Sequence, residues 1–209
     1  MTALWSRVRD EHRGCDVLEH PFYVAWSRGE LRREELAAYS GQYAHAVAAL
    51  ADGLDRAAAE APGDLRGRIA AHADEEREHV QLWATFASAV GGSSTDAPSD
   101  GTLAMVDALT TQPRDWTELL LAAYAIESTQ GPVAETKLDG LGRFYGISDA
   151  WATAYFEVHE SRDEDHAAEI RELVSGRVGP ADEERLLASA RRAWDGNWAL
   201  LDGVASTAI

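Results

Sequence analysis

Long runs with helical periodicity dominate the sequence, and no segment carries a defensible strand pattern. Apolar residues recur at the three- and four-residue spacing of an α-helix in residues 34–61, 65–90 and 116–146, which are also rich in Ala, Leu, Glu and Arg. Helix-breaking residues separate these runs at Pro62-Gly63, 91–101, Gln112-Pro113, 146–149 and 175–180. The pattern predicts one all-α domain spanning residues 1–209, a bundle of about seven helices.

The charge of the chain restricts its partners. The formal net charge is −17 and the sequence pI is about 4.7, which disfavours nucleic acid and anionic membrane surfaces. No apolar run approaches the roughly 20 residues needed to span a bilayer, and the N-terminus lacks the pattern of an export signal. A single cysteine, Cys15, excludes an internal disulfide. We therefore expect a cytoplasmic protein with a small-molecule substrate, and we expect a homodimer.

Three polar residues, His159, Asp163 and His166, lie in the middle of the apolar stripe of the helix predicted over residues 155–173. Relative to His159, the helical period places Asp163 at about +40° and His166 at about −20°. Tyr155 and Ile170 share this arc, whereas the neighbouring charged residues mostly fall outside it. A carboxylate in such a stripe is costly unless it is paired or bound to a cation.

Two other helices show the same anomaly. Glu127 lies in the apolar stripe of the helix predicted over 116–141. His79 shares a face with Trp83 in the helix over 65–90, and Glu75 and Glu76 bracket that face one turn earlier.

Together the three helices direct three histidines and three carboxylates inward. This mixture of ligands suits two divalent metals that prefer oxygen and nitrogen, iron first and manganese second. Each residue also has an ordinary interpretation: the histidines as hydrogen-bonded core residues, Glu75 and Glu76 as surface charges, or a buried Glu–His ion pair without metal. The coincidence on three helices favours the metal site.

Four segments resemble the haem-oxygenase-like diiron oxidase family, which lies within the wider group of thiaminase II and pyrroloquinoline-quinone synthase proteins. They are HPFYVAWSRGELRREELAAYSGQYAHAV (20–47), DEEREHVQLW (74–83), YAIES (124–128) and HESRDEDH (159–166). The resemblance implies a haem-oxygenase-like fold and two Fe(II) ions, or a Mn/Fe pair, with O2 as cosubstrate. It implies one iron held by Glu76, His79 and His159, and the other by Glu127, Asp163 and His166. Glu75 stays a rival of Glu76, and His72, also on the inner face, is expected to lie just outside the ligands.

The resemblance also singles out two candidate catalytic residues. Lys137, the sole lysine, follows Glu127 by ten positions, where a chlamydial member of the family has a functional lysine. Tyr155 stands one turn before His159, as a tyrosine does in that member, which makes p-aminobenzoate from its own side chains. Two simpler roles for Lys137 are snorkelling to the surface and binding a substrate carboxylate.

From these features we expect a nonhaem dinuclear iron oxidase or oxygenase that oxidises an amino acid or another carboxylate. N-oxygenation, oxidative C–C cleavage and decarboxylation are the reaction types that the resemblance implies. The alternatives are a metal-free thiaminase II-like hydrolase, a self-sacrificing p-aminobenzoate synthase and a non-enzymatic protein that binds metal or a partner. The hydrolase needs a mid-chain cysteine nucleophile, whereas the cysteine here is Cys15.

Overall fold

A computed structural model describes the backbone of residues 2–207, and the side chains of these residues except 2, 3, 160, 161, 163, 164, 206 and 207. The α-helices are α1 (Thr2–His12), α2 (Pro21–Arg28), α3 (Arg33–Glu60), α4 (Gly63–Val90), α5 (Asp100–Thr110), α6 (Trp116–Gly140), α7 (Ala150–Val174) and α8 (Glu183–Thr207). A π-helical segment, Leu141–Tyr145, continues α6, and single 3-10 turns occupy Val17–Glu19 and Pro180–Asp182.

The described residues form helices and no strand, as the periodicity predicts. With the π-helical segment there are nine helices in the described part of the chain, so the prediction of about seven was too low. The short helices α1, α2 and α5 have two or three turns each, too few for periodicity alone to separate them from their surroundings. Each predicted break lies at a junction between helices, although α4 already begins at Gly63 and α5 at Asp100. None of the described helices is long and apolar enough to cross a membrane.

The inward face of α4 mixes apolar and polar residues at helical spacing. Ile69, His72, Glu76, His79 and Trp83 follow one another at intervals of three or four residues, and all are buried. This face packs toward α7, which in turn packs along α6. The three helices that carry the predicted polar residues are therefore neighbours in the fold.

The start of α6 is fixed by charges. Asp115 caps the helix, because its Oδ1 accepts the N–H groups of Thr117 and Glu118. The Glu118 side chain is fully buried, and it accepts hydrogen bonds from Arg114 and Arg185. Because Arg185 belongs to α8, this buried charge network joins α6 to α8 and holds the helix that carries Glu127.

The far end of α6 packs closely against α2. Trp26 is completely buried and its Nε1 donates a hydrogen bond to the carbonyl oxygen of Lys137, at 3.3 Å. Gly140 allows this approach, since a Cβ atom there would lie 2.5 Å from the Trp26 Nε1. The contact fixes the position of the Lys137 backbone relative to α2.

Candidate metal centre

Buried carboxylate and imidazole groups of α4, α6 and α7 form two clusters that share Glu76. The first cluster contains Glu76, His79 and His159, and the second contains His72, Glu76, Glu127 and His166. Within each cluster the potential ligand atoms lie within 4.8 Å of one another. All six side chains are buried.

The first cluster joins α4 to α7. The Nδ1 of His79 lies 3.1 Å from Oε1 of Glu76, and the His79 and His159 rings are 4.4 Å apart. The Nδ1 of His159 lies 2.7 Å from the carbonyl oxygen of Tyr155. A carbonyl only accepts, so Nδ1 carries the proton and Nε2 keeps its lone pair for a metal. Burial, reinforced by His79, lowers the pKa of His159 to about 4, so the ring is neutral at pH 7.

The second cluster joins α4, α6 and α7. The Nε2 of His72 lies 2.9 Å from Oε1 of Glu127, and the Nδ1 of His166 lies 3.5 Å from Oε1 of Glu76. Burial acts to lower the pKa of His166, but Glu76, Glu127 and Glu75 outweigh it and raise the pKa to about 9. Burial also acts to lower the pKa of His72, but the neighbouring Glu127 outweighs it, so the pKa is raised.

Glu76 responds in the opposite sense. Burial alone would raise its pKa, but the neighbouring His166 and His79 hold it well below its usual range. The carboxylate is therefore ionised at pH 7 while only 1 % exposed. A buried anion between imidazoles is the charge pattern of a cation-binding site.

Many polar atoms of the two clusters make no hydrogen bond of good geometry, although they are buried and several lie within ion-pair distance of one another. Among the described residues these atoms are both nitrogens of His72, both carboxylate oxygens of Glu76 and of Glu127, and the Nδ1 of His79 and of His166. Buried polar groups are almost always satisfied by a partner. Such a set of closely spaced nitrogen and carboxylate donors, with no thiolate among them, fits iron or manganese.

Glu75 occupies a different position from Glu76. Its side chain is 41 % exposed and lies outside both clusters. Its Oε2 lies 3.1 Å from the Nε2 of His166, and it also accepts a hydrogen bond from Arg162. Glu75 thus contacts the outer edge of the His166 ring and orients that ring from the solvent side.

The other predicted ligands divide as follows. Glu76, His79 and His159 lie together in the first cluster, and Glu127 and His166 lie together in the second. The Asp163 side chain lies outside the described residues. His72, which we expected just beyond the ligands, lies within the second cluster, close to Glu127. The signal for His72 was its position on the inner face of α4, one turn before Glu76.

Lys137 is enclosed by aromatic rings. It is 1 % exposed, so it does not snorkel to the surface. Its Nζ lies between 5.0 and 5.6 Å from the centroids of five rings: Tyr23, Tyr39, Tyr43, Trp83 and Phe156. The negative faces of such rings favour an ammonium group.

Tyr155 connects this aromatic layer to the first cluster. Its ring stacks on His159 at a centroid distance of 3.9 Å and meets Trp83 edge-on at 4.7 Å. A cavity of about 10 Å³ is lined by Tyr43, Tyr155, Glu127 and His159, among others. That volume holds about one water molecule.

Cys15 makes its hydrogen bonds away from the two clusters. Its Sγ–H group donates to the carbonyl oxygens of Glu11 and His12. Burial, together with nearby carboxylates, raises the pKa of the Cys15 thiol to about 11. A protonated thiol is a poor nucleophile, which disfavours the cysteine hydrolase.

The fold is a helical bundle with two candidate metal-binding clusters, and comparison with known sequences shows its family. Residues 37–198 match the family described as iron-containing redox enzyme. The chain belongs to this family.

Several relatives share the name 4-aminobenzoate synthase. The protein of Nitrosomonas europaea is 32% identical over 209 residues, covering 90% of this chain and 85% of that one. The protein of Chlamydia muridarum is 33% identical over 201 residues, covering 89% and 83%.

Solved structures confirm the haem-oxygenase-like fold. A TenA homologue from Pseudomonas syringae pv. tomato superposes with a TM-score of 0.85 at 14% identity, covering 98% of this chain and 93% of its own. A domain of unknown function with a haem-oxygenase-like fold from Shewanella denitrificans has a TM-score of 0.82 at 17% identity, covering 99% and 92%. At these identities the likeness concerns the fold alone.

Proposed function

We propose that this protein is an O2-dependent nonhaem dinuclear iron oxidoreductase. The observation that carries the proposal is the pair of buried donor clusters that meet at Glu76. Two Fe(II) ions, or a Mn/Fe pair, would supply the binding and reduction of O2. His79 and His159 would hold one ion, while His72, Glu127 and His166 would hold the other; Glu76 belongs to both clusters and would be available to either ion.

The protein side chains contribute orientation and protons. The hydrogen bond from His159 to the Tyr155 carbonyl fixes the ring so that Nε2 is the ligand atom. Glu75 and Arg162 steady His166 from outside. The aromatic layer around Lys137 excludes water from the inner side of the site, which strengthens electrostatic interactions there.

We further propose that the product is 4-aminobenzoate and that the protein forms it from its own side chains. The cavity of about 10 Å³ between Tyr43, Tyr155, Glu127 and His159 is itself too small for an external substrate, whereas a more open cavity of about 830 Å³ lies on the outer side of His79. Lys137 would supply the amine nitrogen by cleavage of its Cε–Nζ bond, and that nitrogen would replace the phenol oxygen of a neighbouring tyrosine ring. The tyrosine Cβ atom, released by cleavage of the Cα–Cβ bond and oxidised by O2, would become the carboxylate carbon. The name of the relatives supports this choice.

Iron loading tests the metal centre. The protein is loaded with Fe(II) under anaerobic conditions, desalted and assayed for iron per chain, and O2 consumption is then followed. We expect two irons per chain and O2 uptake that depends on them. A wild-type chain that binds no iron, or a His159→Ala variant with unchanged iron content and O2 uptake, would refute the proposal.

Isotope labelling tests the product. Because Lys137 is the only lysine, protein grown with lysine labelled by ¹⁵N on the side chain carries that label in one residue. After iron loading and exposure to O2 without added substrate, we expect labelled 4-aminobenzoate, at most one equivalent per chain, by mass spectrometry. Lys137→Met should yield none. Unlabelled product, or several equivalents per chain, would exclude Lys137 as the nitrogen source.

The second candidate function is oxidation of an added amino acid or other carboxylate. It is favoured by a cavity of about 360 Å³ between α6 and α7 that Glu127 lines. In that case product formation requires the added compound and continues over many turnovers.

The homodimer is a further proposal, tested by light scattering of the purified chain.

A further inference from the structure

Two cavities that share lining residues lie along α6, and one of them reaches Glu127. One, of about 290 Å³, is lined by residues of α1, α6, α7 and α8, and the other is the cavity of about 360 Å³ that reaches Glu127. The two share Tyr124, Ser128, Pro132 and Arg171. The two cavities therefore share a wall, and the second brings that wall to Glu127 of the second cluster.

The sequence explains why α6 and α7 leave this space. Pro132 has no N–H to donate to the carbonyl of Ser128 one turn earlier, so the helix lacks a hydrogen bond on this face. A Cβ atom at Gly131 would meet nothing within 4 Å. On the opposite wall, α7 presents the small residues Ala167 and Ala168. Small and proline residues thus keep the gap open.

The linings of the two cavities include two exposed arginines, Arg9 and Arg171, together with the carboxylates Asp16 and Glu127. Among the described residues, four arginine side chains make neither a hydrogen bond nor an ion pair to another residue: Arg9, Arg28, Arg33 and Arg171. Arg9 and Arg171 both line the 290 Å³ cavity. In a chain with a net charge of −17, two arginines without a carboxylate partner at one cavity are available to bind an anionic ligand.

Arg171 is also oriented for such a ligand. Its guanidinium carbon lies 5.6 Å from the centroid of the Trp5 ring. Stacking on an aromatic ring leaves the in-plane N–H groups of arginine available for bidentate binding of a carboxylate. Asp16 is the carboxylate in the same lining, and its Oδ1 already accepts the Leu18 N–H at 3.0 Å.

The rest of the lining suits a flat ring. Trp5 packs against Tyr124 with the ring centroids 4.8 Å apart, and His12 packs against Trp194 at 5.4 Å. Aromatic side chains bind flat apolar rings through stacked or edge-on contacts.

We propose that these two cavities form a binding site for a small aromatic carboxylate, with the carboxylate held by Arg171 and Arg9 and the ring against Trp5 and Tyr124. The inference deepens the proposed function and rests on it for the choice of 4-aminobenzoate, which the site would bind as it leaves the protein. The cavity residues themselves argue for the aromatic carboxylate class.

Calorimetric titration of the full-length protein, both iron-free and anaerobically iron-loaded, tests the site with 4-aminobenzoate and its neutral analogue 4-aminobenzamide. We expect saturable binding of the carboxylate, at least about tenfold tighter than the amide, since a hydrogen bond to a charged group is lost with the amide. Arg171→Gln should weaken the binding at least about tenfold, and Arg28→Gln, the matched control, should leave it unchanged.

Three results would overturn the site: no saturation by 4-aminobenzoate, equal affinity for the amide, or unchanged affinity in a folded Arg171→Gln variant. The comparison of carboxylate with amide uses the wild type and so does not depend on how any variant folds. Iron content and labelled product are measured without added ligand. A failure of the proposed function is therefore seen separately from a failure of this site.

Discussion

Replacing Glu76 by Gln removes the carboxylate that both donor clusters share, while keeping nearly the same shape. We expect iron binding to fall from two ions per chain to none in a stoichiometric titration. Loss of even a residue that only supports a metal ligand costs about 10- to 100-fold in affinity. The loss of an anionic ligand from each position should therefore exceed about 100-fold at both.

The same substitution has a calculable electrostatic effect on His166. Its pKa of about 9, against an ordinary 6.5, corresponds at 1.36 kcal/mol per pH unit to about 3 kcal/mol of stabilisation of the charged ring. Glu76 is the largest of the favourable influences, opposing burial, so we assign it on the order of 1 to 2 kcal/mol. Glu76→Gln should then lower the pKa of His166 by about one pH unit.

Two assays follow the variant: colorimetric iron determination after desalting, and an NMR titration of the histidine ring protons in the metal-free protein. Glu78→Gln is the matched control, because Glu78 is exposed on the same helix and belongs to neither cluster. Glu127→Gln should weaken the second position more than the first. Two tightly bound irons in Glu76→Gln, together with an unchanged pKa of His166, would refute the shared-carboxylate reasoning.

Iron affinity should increase with pH between about 6.5 and 9, by up to tenfold per pH unit. The reason is that iron must displace the proton that His166 holds in the metal-free protein. Calorimetry in buffers of different ionisation enthalpy measures this proton release. In the metal-free protein the raised pKa stabilises the fold fully below pH 6.5, and this contribution is lost as the pH rises through 9, as denaturant titrations at several pH values would show. Gly140→Ala should destabilise the protein by about 1 to 3 kcal/mol, because the new Cβ meets the buried Trp26. Gly131→Ala, which meets open space, should be neutral or slightly stabilising in the same denaturant titration. Chelating bound iron should lower the thermal midpoint, since a site occupied at 100 times its Kd contributes about 2.7 kcal/mol.

The helical periodicity was sufficient to predict the long helices and the direction of several side chains. The predicted segments 65–90 and 116–141 correspond closely to α4 and α6. His79, Glu127 and His159 were predicted to point inward, and all three are buried. These predictions succeed because a long amphipathic helix repeats its signal over several turns.

The helical periodicity could not decide whether Glu75 or Glu76 is the candidate metal ligand. Adjacent residues are about 100° apart on a helix, and both glutamates bordered the apolar arc. In the tertiary structure Arg162 of α7 draws Glu75 toward solvent, while Glu76 turns between His79 and His166. The neighbouring helix decided the outcome.

By itself the sequence determined an all-helical protein in which three helices turn carboxylates and imidazoles into the core, because side-chain direction along a helix follows from local geometry. Only the tertiary structure decided how these groups combine, since that depends on the packing of helices distant in the chain. It brought His72 of α4 to Glu127 of α6, enclosed Lys137 among five rings and aligned Arg9 with Arg171 at one cavity. No local pattern encodes such contacts, because they join residues from different helices.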